Sequence, residues 1–335
     1  MGREKHANIS IFVPHLGCPR QCSFCDQRAI TGQAQSPPTP EDVWSAARRG
    51  AETLGPRREQ AEIAFFGGSF TAIDQAYMLA LLTAAKAAVE RWGFRGVRCS
   101  TRPDAIDPQI LAVLKAHRVT AVELGAQSMD NQVLRANRRG HTAAQTREAA
   151  ERIRQAGLEL GLQMMTGLYA STPEKDLATA QGLIALGPAT VRVYPAIVLP
   201  NTGLARLYQT GQYRPQTLEQ AVDLCAALLD LFEGAGVRVI RMGLHPSPAV
   251  EASRLAGPYH PAFRQLAESR RFLLRLTQSL KPHGPGRCTV AVHPRHVSTA
   301  LGQGRENLQK LQASGYQVQF VQDASLEPGS WRIDR

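Results

Sequence analysis

Three cysteines, Cys18, Cys22 and Cys25, fall within eight residues of the chain, in the stretch HLGCPRQCSFCDQ. That spacing puts three thiolates on one short loop, and thiolates select zinc or iron–sulfur clusters. A closed zinc site takes four ligands, and His15, three residues before Cys18, supplies a fourth for a Cys3His arrangement. A bacterial-ferredoxin run needs four closely spaced cysteines, and none follows Cys25 in this loop. The third arrangement is a [4Fe–4S] cluster with three irons held by cysteine and one open, as catalytic metals keep a free position. On the residues alone, the closed zinc site and the open cluster both stand.

The other cysteines, Cys99, Cys225 and Cys288, are scattered through apolar or loop surroundings. Cys99 and Cys225 read as ordinary buried thiols, since cysteine behaves as a small hydrophobe. In a reducing cytosol a clustered trio is a metal site rather than half a disulfide framework.

The elements that must position this loop form a repeat. Short apolar, β-branched runs occur at Ile9–Val13, Ile63–Phe66, Val97–Ser100, Val119–Leu124, Leu158–Met164 and Thr190–Tyr194. Helical stretches separate them. Thr39-Pro40-Glu41-Asp42 offers an N-cap, a proline at the first helical position and acids in the first turn. TAAQ (142–145) and TLEQ (217–220) are capping boxes, and Gly93 and Gly157 sit where helices end. Strands alternating with helices imply parallel strands, because each crossover returns over the sheet. Six such units predict an α/β fold, a partial (β/α)6 TIM-like barrel, with an open doubly wound sheet as the alternative.

Polar, glycine- and proline-bearing sequence gathers after each strand: the cysteine loop, then GGSFT (67–71), TRPD (101–104), GAQS (125–128), TGLYAST (166–172) and PAIVLPNTG (195–203). In a barrel these ends share one rim, where active sites are built. The barrel is therefore the favoured reading. Past about residue 245, GLHPSPA and KPHGPGRC read as linkers. CTVAVHP (288–294) and YQVQFVQD (316–323) then read as strands around a helix at GRENLQKLQAS. The expected organisation is a core over 1–245 and a small α/β extension over 246–335.

The chain has 335 residues, 43% hydrophobic and 20% charged, enough to bury a sizeable core. No run of about 18 uncharged apolar residues predicts a membrane span, and MGREKHANISIF lacks a secretory h-region. The expected location is cytoplasmic. A net charge of +11 and a pI near 9.8 favour polyanionic partners, nucleic acid above all. The basic residues cluster somewhat in RANRRGH (135–141) and RRFLLR (270–275).

CxxxCxxC with an aromatic, Phe24, before the last cysteine resembles the radical S-adenosylmethionine (SAM) superfamily, as does the glycine pair in FFGGSF. FFGGSFTAI, STRPDAI, VELGAQS, RRGHT, GLQMMTGL and VYPAIVLPNTGLARLYQTGQY narrow the match across most of residues 7–245. They resemble the radical SAM core of the catalytic subunit of Elongator, and still more its short bacterial relatives lacking the acetyltransferase half. Oxygen-independent coproporphyrinogen oxidases are more distant cousins.

The resemblance implies a [4Fe–4S] cluster and SAM as cofactors, with Cys18, Cys22 and Cys25 as cluster ligands. It puts Phe24 near the adenine and Gly67, Gly68 and Ser69 along the methionine amine. Ser100 and Arg102 are SAM contacts at the third strand, Glu123 and Gln127 face the pocket from the fourth, and Gln163 from the fifth. Glu123 has a competing reading as a barrel-interior ion pair with Arg102 or Arg192, because buried charges need partners. His15, Arg192 and Tyr194 are further rim candidates. Gln163 stands where the coproporphyrinogen oxidases carry an acid, and Tyr169 replaces the proline of GLP. The expected partners are tRNA or another nucleic acid and a reductase or flavodoxin-type electron donor. Two alternatives remain: a radical SAM enzyme on a small anionic metabolite such as a porphyrinogen, and a non-catalytic zinc-dependent nucleic-acid-binding protein.

Overall fold

Residues 7–13, 16–18, 22–26, 36–246 and 248–334 are described by a computed structural model of the chain. Its strands are β1 (Ala7–Val13), β2 (Ala61–Gly67), β3 (Gly96–Thr101), β4 (Val119–Gln127), β5 (Glu159–Thr166), β6 (Thr190–Pro195), β7 (Arg238–Met242), β8 (Gly286–Val292), β9 (Tyr316–Gln322) and β10 (Trp331–Asp334). The α-helices are α1 (Pro40–Leu54), α2 (Gln75–Trp92), α3 (Pro108–Ala116), α4 (Asn131–Ala136), α5 (Ala143–Gln155), α6 (Pro173–Ile184), α7 (Gly203–Gln209), α8 (Leu218–Gly234), α9 (Pro248–Ser253), α10 (Phe263–Leu280), α11 (Val297–Leu301) and α12 (Glu306–Ala313).

The local signals act as expected. The Thr39 hydroxyl accepts from the Asp42 N–H, and Asp42 Oδ2 accepts from the Thr39 N–H at 2.8 Å, a full capping box worth about 1 kcal/mol. The Thr142/Gln145 and Thr217/Gln220 boxes open α5 and α8. Gly93 closes α2 in the left-handed region at φ 72°.

β1 to β7 pair in chain order, every neighbour parallel, with helices returning over the outside. The sheet curls into a half-barrel: the Arg192 guanidinium of β6 reaches 4.9 Å from the centre of the Phe66 ring on β2. The sequence predicted six strands, and the sheet has seven. β7 reads RVIRM, an apolar stretch too short and too often broken by arginine to register as a strand.

Side chains alternate across the sheet. Ile63, Cys99, Leu162 and Val191 point outward into the core under the helices, whereas Ser10, Ser100, Gln163 and Arg192 line the inside. Inside the barrel, Arg98 is 1% exposed and meets three carboxylates: Glu62 at 2.7 Å, Glu159 at 2.8 Å and Glu123 at 3.4 Å. Removing a single partner from such a buried set costs about 3–5 kcal/mol, since it leaves a charge uncompensated. Cys99 and Cys225 are fully buried in the outer core, and burial pushes the Cys99 thiol up to about 12, so both are inert packing groups.

A second sheet, ordered β10-β8-β9, holds its own small core. β8 and β9, anticipated in the sequence, pair in parallel; β10 adds an antiparallel edge that the sequence did not predict. Helix α10 joins the two parts. Phe263 and Ala267 pack in the barrel core, and Phe272, Leu273, Leu276 and Leu280 pack under the small sheet. The basic run RRFLLR lies on this helix and faces the acids of α8: Arg270 pairs with Asp223, Arg271 with Glu233 at 2.6 Å, and Arg275 with Asp230 at 2.6 Å. These cations hold two helices together. Among the described residues, no helix is long and apolar enough to cross a membrane.

Candidate active site

The cysteine loop leaves the end of β1 and is pressed onto the turn that follows β2. Gly17 adopts φ +73°, and a Cβ there would lie 2.4 Å from the Ser69 carbonyl oxygen and 2.6 Å from the Ala72 carbonyl carbon. Only glycine fits so close a backbone approach. The Ser69 N–H donates to the Cys18 sulfur. On its other side the loop is tied to Asn137, fully buried at the end of α4. The Ser23 N–H donates to the Asn137 carbonyl at 3.1 Å and the Ser23 hydroxyl to Asn137 Oδ1 at 2.7 Å. Asn137 Nδ2 in turn donates to the Tyr169 carbonyl at 2.9 Å. The loop is thus fastened directly to the β2 turn and to the end of α4, and through Asn137 to the segment after β5.

Burial, then the neighbouring Cys22 and Cys18 thiols, push the Cys25 thiol up to about 12, and burial raises Cys18 as well. Three thiols so enclosed and so close ionise together only when a cationic group binds among them. One cation is built in: Arg139, 7% exposed, donates from Nη1 to Cys22 Sγ at 3.3 Å and from Nη2 to the Gly125 carbonyl at 2.5 Å. His15, the fourth ligand of the zinc alternative, lies outside the described residues. Among the described residues, no group of three or more His, Cys, Asp or Glu is gathered so as to hold one metal ion.

The three cysteines form part of the wall of a cavity of about 920 Å³ inside the half-barrel, within the usual range for a cofactor and small substrate. Phe24, Gly67, Gly68, Ser69, Ser100, Arg102, Gln127 and Gln163 line the same cavity. Gly67 has φ +120°, a Cβ there would stand 2.4 Å from the Val13 carbonyl oxygen, and the Gly68 N–H donates to that carbonyl at 2.8 Å, so the glycines seat the β2 turn tightly against the end of β1. Ser69 Oγ lies 2.9 Å from Thr101 Oγ1 and accepts from the Arg102 N–H at 3.2 Å, locking the β2 turn to the end of β3. Arg102 makes a two-pronged pair with Asp104, at 2.8 and 2.6 Å. Gln127 sits where the β4–β5 register shifts, at φ +63°, and its buried Oε1 has no hydrogen-bond partner among the described residues. A side chain in the left-handed region at a cavity wall, with an unused acceptor, is an unusual combination for a residue that serves packing alone.

Glu123 is the exception among the expected contacts. It is 1% exposed and does not line the cavity. It accepts from Arg192 Nε at 2.6 Å and Nη2 at 3.0 Å, with Arg98 Nη1 at 3.4 Å. Of the two foreseen partners it takes Arg192, since Arg102 is held by Asp104.

Sequence reasoning missed Arg139, Asn137 and Arg241. The first two lie in RANRRGH, which reads as a basic cluster suited to polyanionic partners and overlaps RRGHT, one of the stretches that carry the family resemblance. The available signal was their position between the GAQS strand end and the capping box at Thr142, which places them beneath the rim. Arg241 was hidden with the unrecognised β7. The resulting cavity is lopsided in charge: Arg102, Arg139, Arg192, Arg238, Arg241, Arg264 and His245 line it, and no aspartate or glutamate does among the described residues.

A curled parallel sheet with a three-cysteine loop after its first strand and a glycine turn after its second defines a class of enzyme. The chain belongs to the radical SAM superfamily, whose family model matches residues 12–181; a radical SAM C-terminal domain matches 188–273. Membership implies SAM and a [4Fe–4S] cluster. The three thiols, the glycine turn that lines the cavity and the Gln127 oxygen without a partner among the described residues fit both groups.

The chain is similar to the tRNA uridine(34) acetyltransferase of Dehalococcoides mccartyi, 27% identical over 295 residues, 78% of this chain and 64% of that protein. It is 31% identical over 179 residues to Elongator complex protein 3 of Danio rerio, 52% of this chain and 32% of the relative. It shares its fold with the archaeal Methanocaldococcus infernus Elp3 lacking residues 1–46, at TM-score 0.62 and 19% identity, over 83% of this chain and 63% of that one. The chain spans less than two thirds of each of these relatives.

Proposed function

We propose that this chain is a cytoplasmic radical SAM enzyme acting on tRNA, with Cys18, Cys22 and Cys25 holding a [4Fe–4S] cluster and SAM bound beside it. The observation that carries this reading is a single cavity with three thiols in its wall, seven potentially cationic side chains and no carboxylate among its described lining. When bound, the cluster supplies the electron that cleaves SAM to methionine and a 5′-deoxyadenosyl radical.

The chain's residues would position the rest. The Gly67–Gly68 turn, which lines the cavity, lies along the methionine amine, and Gln127 Oε1 is an acceptor for a SAM donor group. Arg102 and Arg139 offer cationic donors at the cysteine end, and Phe24 stacks near the adenine. The half-barrel shields these groups from bulk water, so the low dielectric strengthens each charge contact. A reductase or flavodoxin-type protein is the proposed electron source. tRNA as the substrate rests on the names of the relatives and on the +11 charge. The acetyl transfer in the first relative's name is that protein's activity and is not carried over.

Anaerobic reconstitution, reduction and assay of SAM cleavage with and without bulk tRNA tests the reading. Cleavage with tRNA bound in a salt-dependent way supports it. SAM cleavage without tRNA binding, but with turnover of coproporphyrinogen, would shift the substrate to a small anionic metabolite, which the same arginines suit. A zinc-replete protein that cleaves no SAM would remove both.

A further inference from the structure

Arg192 on β6 and Arg241 on β7 are register partners, side by side on the inner wall of the cavity. Their surroundings differ. Arg192 is neutralised by its two-pronged pair with Glu123. Arg241 meets no carboxylate among the described residues: the charged or ionisable groups around it are Tyr194, Arg192, Arg264 and His245. Its Nη2 donates to His245 Nε2 at 2.7 Å. Because arginine only donates, that ring nitrogen carries no proton, and the imidazole is neutral with its proton on Nδ1. The Arg241 Nε–H is buried and has no partner among the described residues.

Arg264, in the first turn of α10, reaches the same wall and is oriented by the Val239 carbonyl at 2.6 Å and by Glu268 at 2.8 Å. Arg238 starts the strand and lines the cavity too. A buried cationic donor without an acceptor is costly, and persists where a ligand supplies the acceptor. The ligand must bring an acceptor, since every polar hydrogen on Arg241 donates, and an anion answers the positive charge of a wall lined by arginines with no carboxylate among the described residues. A guanidinium edge presents two parallel N–H groups that match the two free oxygens of a phosphodiester.

We propose that Arg241, with His245 and Arg264, is a phosphate subsite that holds one backbone phosphodiester of an RNA substrate, across the cavity wall from the cysteine loop. This rests on the RNA reading of the same cavity. It divides the cavity into a reacting end, with the three thiols and Arg139, and an anchoring end on β7 and α10.

The test uses the full chain, reconstituted with its cluster and SAM, titrated with bulk tRNA and separately with uridine 5′-monophosphate and uridine. Arg241→Gln is expected to weaken tRNA binding about tenfold and to make the slope of log K against log salt shallower by roughly one. It should also erase a preference for the monophosphate over the nucleoside. Arg241→Lys should keep the salt slope while losing part of the affinity, because it retains the charge but not the fork. Unchanged iron content and melting temperature verify the fold of each variant.

If Arg241→Gln binds tRNA with wild-type affinity and slope, the subsite is wrong and the RNA reading survives. If the wild type binds no tRNA yet prefers the monophosphate, and Arg241→Gln does not, the RNA reading fails and the phosphate assignment stands. Equal binding of monophosphate and nucleoside by the wild type overturns the subsite. So does tight binding of coproporphyrinogen that Arg241→Gln abolishes, which would make it a carboxylate site.

Discussion

Arg139 holds Cys22 and the β4 backbone in one grip, its Nη1 3.3 Å from the cysteine sulfur and its Nη2 2.5 Å from the Gly125 carbonyl. The same guanidinium therefore places a positive charge on the sulfur of a proposed cluster ligand and ties the cysteine loop to the strand that carries Gln127.

Arg139→Met removes that charge at nearly constant side-chain volume. A cation beside a cluster favours the electron-rich state, so its loss should lower the midpoint potential by tens of millivolts to about 100 mV, the scale of one charge at a few ångströms in a partly buried site. An EPR-monitored redox titration checks this. An unaltered potential would show that Arg139 serves the loop's geometry alone.

Cys22→Ala should abolish retention of iron and acid-labile sulfide. Cys99→Ala, in the fully buried outer core, should retain both and lose about 1 kcal/mol of stability from the small cavity left behind. Metal analysis of the two variants side by side decides it. Comparable iron loss in both would mean that Cys99 supports the site in a way its packing does not suggest.

Gly17→Ala meets backbone atoms of Ser69 and Ala72 that cannot rotate away. The left-handed backbone alone costs an alanine roughly 1–2 kcal/mol, and the clash adds to it. The loop should detach from the β2 turn, with cluster loading reduced several-fold while the barrel's far-UV circular dichroism is kept. Full cluster loading in Gly17→Ala would disprove the requirement.

Asp176 on α6 is buried, and burial pushes its carboxyl up to about 6, against hydrogen bonds from Ser171 at 2.6 Å and the Gly167 N–H at 2.8 Å that pull it down. The native state holds the proton more tightly than the unfolded chain does. Asp176 therefore favours folding most below pH 4, and that advantage is lost as pH rises to about 6. The loss is on the order of 2–3 kcal/mol. An asparagine can still accept from Gly167 and meet Ser171 with its amide. Asp176→Asn should flatten urea stability between pH 4 and 6, and be neutral or stabilising at pH 7.5. A parallel pH profile for both proteins would contradict the assignment.

How far the sequence could be read follows from where its information is local. The cysteine spacing, the glycine turn after β2 and the capping boxes are short-range patterns, and each was found where expected. The alternation of strand and helix was enough for the barrel, but β7 escaped because Arg238 and Arg241 flank its few apolar residues. Charge was the least legible property. RRFLLR and RANRRGH look alike as basic runs, yet Arg270, Arg271 and Arg275 clamp α10 to α8, and Arg139 turns inward onto a sulfur. Which cation meets which anion depends on crossovers more than a hundred residues apart, such as Cys22 to Arg139. Glu123 had two nominated partners, and only the fold could choose Arg192.

Helix α10 packs one half into each hydrophobic core and carries Arg264 into the cavity wall. Cutting the chain after the barrel's last strand would therefore strip α8 of its ion pairs, bare the apolar side it shares with α10 and delete a cation from the site. The same helix is thus a structural member common to both parts, so the small sheet and the cavity wall at Arg264 share one rigid element.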